Sequence, residues 1–276
     1  MSNIPDAIRA GLRLYSEKGK QTSKSYRISQ LFWTDTNGFN GACKRKLRYE
    51  FSGVDPTDPI GFDSAFRIEL GNQIHTMLGK AMTLYLTETK VDIDFQLERA
   101  IEYNLSGLLS RNLTGHLDAW WPGHVIEFKS TFGKGFYNIP KPDHIVQAVT
   151  YLLHDIYRGT VESAIDVLNG NWGSEVNELT AYLVYISREG GAIKEFELHP
   201  KVGGKVTVID TEKREVTQFL WPHLAQELLA LDGDTGLPDR CYEGKPNAGG
   251  TDLTTASHWR CRTCAFKSKC YELRGA

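Results

Sequence analysis

No stretch of the 276 residues approaches the roughly 18 consecutive apolar residues that a bilayer-spanning helix needs. The opening Met1-Ser-Asn-Ile-Pro-Asp6 lacks the basic and apolar halves of a secretory signal, so the expected location is the cytoplasm. Cysteine is scarce, five in all. In a chain without an export signal this argues against a disulfide framework and leaves the thiols for metals or catalysis. Strong positive charge is also missing: the formal net charge is -2. That excludes a passive, strongly basic DNA binder but not an enzyme that grips a few phosphates in a local groove. No internal repeat is found. What remains is an ordinary globular composition, 41% hydrophobic and 24% charged, long enough for one large domain or two small ones.

Between Pro5 and Lys18, Ile8, Leu12 and Tyr15 recur like one face of a short helix. Residues 38 to 63, rich in Gly, Pro and Asp, read as loop and short helix, with Lys44-Arg45-Lys46 and Arg48 beside Cys43. Asp63 or Ser64 can cap a helix running to about Leu86, with Phe66, Leu70, Ile74, Met77, Leu78 and Met82 at helical spacing. Alternation in Val91 to Leu97 predicts a strand. Leu113 to Trp121 and Val125 to Ser130 predict two more, joined by a turn at Pro122-Gly-His124. A helix from about Asp143 to Arg158 follows, apolar at Ile145, Val146, Val149, Leu152, Leu153 and Ile156, and closed by Gly159. Thr180 to Ser187 and Ala192 to Leu198 form a second hairpin about Gly190-Gly191, and a long helix is expected from about Thr211 to Leu231. The tail beyond it reads as irregular. Mixed strands and helices indicate α/β or α+β architecture.

The charged residues of the first hairpin carry the chemistry. Side chains alternate along a strand, so in Ile126-Glu-Phe-Lys-Ser130 the acid and the amine point to one side while Ile126 and Phe128 enter the core. Asp118 ends the preceding strand, and the turn can bring its carboxylate near Glu127. Phosphodiester hydrolysis needs such a set: hard oxygen ligands for Mg²⁺ or Mn²⁺, a metal to generate hydroxide and screen phosphate charge, and a cation for the pentavalent oxyanion. A lone E-x-K is ordinarily an exposed strand pair and Asp118 a turn residue. Here the charges sit in an apolar strand directly after an acid-bearing one, where the fold would prefer carbon.

Thr114-Gly-His-Leu-Asp118 followed by Ile126-Glu-Phe-Lys-Ser130 resembles the core of the PD-(D/E)xK nucleases, in their RecB-like branch. Two further stretches resemble that branch. Leu70-Gly-Asn-Gln-Ile-His75-Thr-Met-Leu78 matches a helix that supplies a metal-binding histidine, which places His75 as a ligand. Gln147-Ala-Val-Thr-Tyr151 matches a Q-x-x-x-Y helix, and residues four apart share a helix face. The resemblance therefore implies catalytic Asp118, Glu127, Lys129, Gln147 and Tyr151, with metal held by His75, Asp118, Glu127 and the main-chain carbonyl of Phe128.

Cys261-Arg-Thr-Cys264 and Cys270 give C-x2-C-x5-C. A tetrahedral or cubane site needs a fourth thiolate, which spacing alone leaves open between Cys43 and Cys241, just as it leaves open zinc against iron. The tail Trp259-Arg-Cys-Arg-Thr-Cys-Ala-Phe266 with Cys270 resembles that of CRISPR-associated RecB-like exonucleases and AddB-type nuclease domains. Gly41-Ala-Cys43-Lys-Arg-Lys-Leu-Arg-Tyr49 resembles their distant first cysteine. That resemblance implies a 4Fe-4S cluster on Cys43, Cys261, Cys264 and Cys270, with Cys241 spare. Such a cluster is first of all a clamp closing a long loop. Lys44, Arg45, Lys46 and Arg262 are candidate DNA contacts near it, with Arg260, Lys267 and Lys269 adding positive charge; the plainer reading makes them solvated surface charges.

The expected fold is thus α/β and restriction-endonuclease-like: a mixed central sheet flanked by helices, with a C-terminal iron-sulphur subdomain packed on the N-terminal segment. The expected divisions are 1–63, 64–200 and 201–276. The resemblance implies a Mn²⁺- or Mg²⁺-dependent DNA exonuclease acting on single strands, in CRISPR adaptation, phage DNA processing or recombination and repair. It leaves room for a protein partner and for a homo-oligomer. Two other readings stand beside it, a non-catalytic DNA-binding or assembly module that keeps the cluster and a nuclease stapled by zinc.

Overall fold

A computed structural model describes residues 25–36, 38–58, 60–90, 92–233, 236, 238, 261 and 264–272. The expected helix at Pro5–Lys18, together with Cys241, Arg260 and Arg262, lies outside them. The chain divides into two compact units. One comprises 25–41 and 73–233; the other is built, among the described residues, from 42–72 and the described part of 234–276.

The first unit is organised by a mixed sheet of eight strands. Its path runs β1 (Tyr26–Arg27), β5 (Leu113–Trp121), β6 (His124–Thr131), β7 (Thr180–Ser187), β8 (Ile193–Lys201), β9 (Lys205–Asp210) and β10 (Glu215–Leu220), with β4 (Gln96–Tyr103) also paired to β5. Pairing is parallel for β1 with β5 and for β6 with β7, and antiparallel elsewhere in the sheet. A separate hairpin joins β2 (Phe32–Asp35) to β3 (Gly38–Gly41).

Helix α3 (Pro142–Tyr157) starts with a proline in its first turn, where no amide hydrogen is needed, and buries Ile145, Val146, Val149 and Leu153. On the sheet, Ala119, Ile126 and Phe128 form a buried cluster, against which Leu78 and Met82 of α2 (Phe62–Glu88) pack. Helix α4 (Val161–Asn169) was not anticipated. Its N-cap Thr160 accepts the amide of Ser163, and it ends at Gly170 in the left-handed conformation. Helix α5 (Leu224–Gly233) buries Leu224, Ala225, Leu228 and Leu231.

Several sequence expectations need correction. The strand expected at Val91–Leu97 begins at Gln96, because the residues that find buried positions are Ile101 and Tyr103. The long helix expected from Thr211 to Leu231 is instead strand β10 followed by a shorter helix. Val206 and Val208 alternate into the core, Gly203 and Gly204 turn with positive φ, and helix is resumed only after Pro222. The sheet therefore continues past Pro200, where the core was expected to end. Helix α2 begins at Phe62, so Asp63 lies within its first turn rather than capping it. Phe66 and Met77, two of the apolar residues at helical spacing, are 48% and 54% exposed, since this helix spreads its apolar residues around its circumference.

In the second unit, α1 (Lys44–Phe51) begins directly after Cys43, whose carbonyl accepts the amide of Leu47. Its Tyr49 ring lies 5.3 Å from that of Phe266. Asp58 caps α6 (Lys267–Glu272): Oδ2 accepts the Ser268 amide at 2.6 Å and Oδ1 the Ser268 hydroxyl at 2.7 Å.

Candidate functional site

The site begins where two strands part. β5 pairs with β6 only between Ala119 and Trp121, opposite Ile126 to His124. Towards its start it pairs with β1 in parallel, Leu113 beside Tyr26. Asp118 sits at the fork. Its Oδ2 accepts the Phe128 amide at 2.7 Å, so a carboxylate oxygen serves an amide of β6 just beyond the last β5 pair. Its Oδ1 is 3.0 Å from His75 Nδ1. The His75 ring stands edge-on to Phe128, with centroids 6.2 Å apart.

Across the fork, Glu127 is only 3% exposed. Its Oε1 accepts from Lys129 Nζ and from Gln147 Nε2, the latter at 2.8 Å. Gln147 Oε1 in turn accepts from Lys129 at 2.9 Å, and Gln147 Nε2 donates to the Tyr151 hydroxyl at 3.1 Å. The acid, the amine, the amide and the phenol thus form one hydrogen-bonded group, with α3 supplying its polar roof. Burial pushes the Glu127 carboxyl up to about 7; the Lys129 ammonium opposes the rise and the Asp118 carboxylate adds to it. Burial, then the Glu127 charge, raises the Tyr151 phenol far above its ordinary range.

Two contributors were not singled out from sequence. A side chain at Gly115 would place its Cβ 2.5 Å from the Tyr151 ring and 2.9 Å from its hydroxyl, so only glycine leaves room for that phenol. Its signal was its place in the Thr114-Gly-His-Leu-Asp118 motif. Tyr185 stands beside Lys129 in the parallel β6–β7 register and is fully buried. Its hydroxyl lies 2.8 Å from His144 Nδ1 and accepts the Lys141 amide at 3.2 Å. No local pattern marks Tyr185, because its importance depends on a neighbouring strand.

The second unit carries the thiols. Cys264 lies in a turn: its amide donates to the Cys261 carbonyl at 3.2 Å, while its own carbonyl accepts the Lys267 amide. Burial raises the Cys264 thiol, a backbone hydrogen bond at Phe266 and the Lys46 charge oppose the rise, and the neighbouring Cys43 and Cys270 add to it. Arg45 Nη1 lies 3.9 Å from Cys270 Sγ, and its Nε donates to the Pro238 carbonyl at 2.7 Å. Of the candidate DNA contacts, Arg45 is therefore engaged within the unit, and Lys46 pairs with Glu50 at 3.5 Å. Lys44 starts α1.

Among the described residues, no three His, Cys, Asp or Glu side chains are gathered into a finished metal shell. His75 and Asp118 are turned to each other, and Glu127 to Lys129 and Gln147. The donor chemistry nevertheless fits a hard divalent cation. Glu127 Oε2 is buried without a hydrogen-bond partner, the oxygen such an ion or a water would satisfy. At the thiols, four cysteines with a guanidinium near one sulphur suit a thiolate-held group.

Fold and site together define a mixed α/β protein with a carboxylate, lysine and glutamine cluster at a fork in its sheet. No family model matches the chain, and no curated protein matches it. Among solved structures it is similar to the one described as the crystal structure of SSO0001, at 16% identity and a TM-score of 0.48 over 98% of this chain and 97% of that one, a likeness too distant to speak to fold or activity. No described helix is long and apolar enough to cross a membrane.

Proposed function

We propose that the chain is a metal-dependent DNA nuclease of the RecB-like PD-(D/E)xK type, acting exonucleolytically on single strands and stapled by a 4Fe-4S cluster. The observation that carries this reading is the buried Glu127, bonded on one oxygen to Lys129 and Gln147 and unpartnered on the other, facing a fork that holds Asp118. A fold does not keep an acid at 3% exposure, with an orphan oxygen, for stability alone.

A divalent Mn²⁺ or Mg²⁺ held by His75, Asp118, Glu127 and the Phe128 carbonyl would supply hydroxide and screen the phosphate charge. The chain's own residues do the rest. Gln147 and Glu127 fix the Lys129 ammonium, which can meet the charge that develops on the phosphoryl oxygens. Gln147 also holds the Tyr151 hydroxyl, and Gly115 leaves the space for it. Asp118 keeps His75 oriented through Nδ1. In the other unit, Cys43, Cys261, Cys264 and Cys270 would hold the cluster, a cross-link between distant parts of the chain.

Labelled single-stranded DNA incubated with Mn²⁺ tests the reading. Lys129→Ala should lower the cleavage rate by about a hundredfold or more, the order lost when one charge-stabilising donor is removed. Cleavage unchanged by that substitution would remove Lys129, and this site, from the reaction.

A further inference from the structure

Beyond the cleavage centre, the segment that follows β6 carries exposed aromatic rings with cations laid over them. Tyr137 is 79% exposed and Phe132 38%. Lys194 Nζ lies 5.0 Å from the centroid of Phe136 and 5.9 Å from that of Tyr137. The Arg188 guanidinium lies 4.8 Å above Phe132. It is held there by two hydrogen bonds to the Ser130 hydroxyl, at 3.0 and 2.7 Å, while the Arg188 amide donates to the Thr131 carbonyl.

The place of this ledge follows from register. Lys129 pairs with Tyr185 across β6 and β7, and Tyr185 with Lys194 across β7 and β8. Partners in register point to one face of a sheet, so Lys194 shares a face with Lys129, two strand spacings or roughly 10 Å away. Arg188 belongs to the opposite face, because Ser130, which holds it, follows Lys129 directly in β6 and points the other way. Cations and rings thus flank the C-terminal end of the strand that bears Glu127 and Lys129.

We propose that Phe136, Tyr137 and Lys194, on the face of Lys129, form a subsite for a single DNA strand entering or leaving the cleavage centre. The chemistry selects this occupant. An exposed ring binds a base through its face, which is free only when the base is unpaired and unstacked, and the adjacent Lys194 ammonium suits the phosphates between such bases. One acid, Glu189, packs against Gly133 at the edge of the ledge. Tyr137 holds no core position, so nothing in the packing requires an aromatic there. The identity of the strand rests on the nuclease reading; the binding does not.

Fluorescence anisotropy of labelled oligo(dT) on the intact protein, with calcium as the only divalent cation, tests the subsite. Tyr137→Ala should weaken binding by about tenfold, the order of one base–aromatic stack, and Tyr137→Phe should restore it. Lys194→Glu should weaken binding and flatten its salt dependence. A 2-aminopurine in the oligonucleotide should lose its quenching in Tyr137→Ala, a signature that a merely structural role would not move. Wild-type affinity and quenching in both Tyr137→Ala and Lys194→Glu would overturn the subsite, and tighter binding of oligo(rU) than of oligo(dT) would overturn its assignment to DNA. If those variants bind normally while Lys129→Ala stops cleavage, the subsite falls and the nuclease stands. If Tyr137→Ala weakens binding in a protein that cuts nothing, the subsite stands without the nuclease.

Discussion

Gln147 gives its carbonyl oxygen to Lys129 and its amide nitrogen to Glu127 and Tyr151, so truncating it leaves three buried polar groups to find new partners. On the nuclease reading, Gln147→Ala should lower kcat on single-stranded DNA by about ten- to a hundredfold, as losses of orienting partners do, with KM little changed. Steady-state kinetics checks this; a wild-type kcat would mean that the amide orients nothing that reacts. Gln147 and Tyr151 were legible only through the resemblance of their Q-x-x-x-Y spacing, since read alone they would be helix-surface residues, whereas both are buried. Gly115 was legible only within its motif, since the ring it must avoid lies on a different element. Tyr185 was not legible, because an aromatic in a buried strand looks like any other core residue until the neighbouring strand is placed.

The elements that position the site were readable where local chemistry and burial agree. The β5–β6 hairpin has a turn residue with φ of +79° at Gly123 between two apolar-rich strands, and it lies within a residue of the expected bounds. Strand β10 was missed because it is largely exposed and has little alternation to show, and β9 because only Val206 and Val208 alternate inward in so short a strand. One electrostatic tie holds α3 to β4. Arg99 grips Asp155 with two hydrogen bonds, at 2.8 and 2.6 Å, and lies 4.3 Å over the Trp120 ring. Burial pushes the Asp155 carboxyl up, but the Arg99 hydrogen bonds and charge more than offset this, so it ends below its ordinary value. A carboxyl lowered in the folded state adds stability that is complete above its unfolded value, roughly 3.9, and is lost as pH falls through the lowered one. Melting temperature should therefore decline below about pH 4, and Asp155→Asn should lower stability at neutral pH while flattening that acid limb. An acid limb as steep in the variant as in the parent would assign the decline to other carboxyls.

At the scale of the whole molecule, the thiol-bearing unit draws on chain segments far apart in sequence, and Asp58 joins them through the amide and hydroxyl of Ser268. On the cluster reading, anaerobically purified protein should contain iron and sulphide, and Cys43→Ala should lose both. Asp58→Ala should retain the thiols but lose its cap on α6, lowering stability by about 1 kcal/mol and speeding iron release to a chelator. Zinc in stoichiometric amount and no iron would replace the cluster by a tetrahedral thiolate site. From the sequence this unit was readable only as cysteine spacing, because its packing, Tyr49 against Phe266, joins residues with no local relation.

The same discontinuity orders the molecule's assembly in time. During synthesis, residues 73–233 are made before any of 264–272, whereas α1 and Cys43 are made early and must wait for partners translated later. At about 5–20 residues per second, the sheet and its carboxylate fork have roughly a few seconds' head start over the thiol unit. Ribosome-bound chains stalled before Cys261 should therefore already protect the strands around Glu127 from proteolysis, while the Cys43 thiol still reacts with an added alkylating reagent.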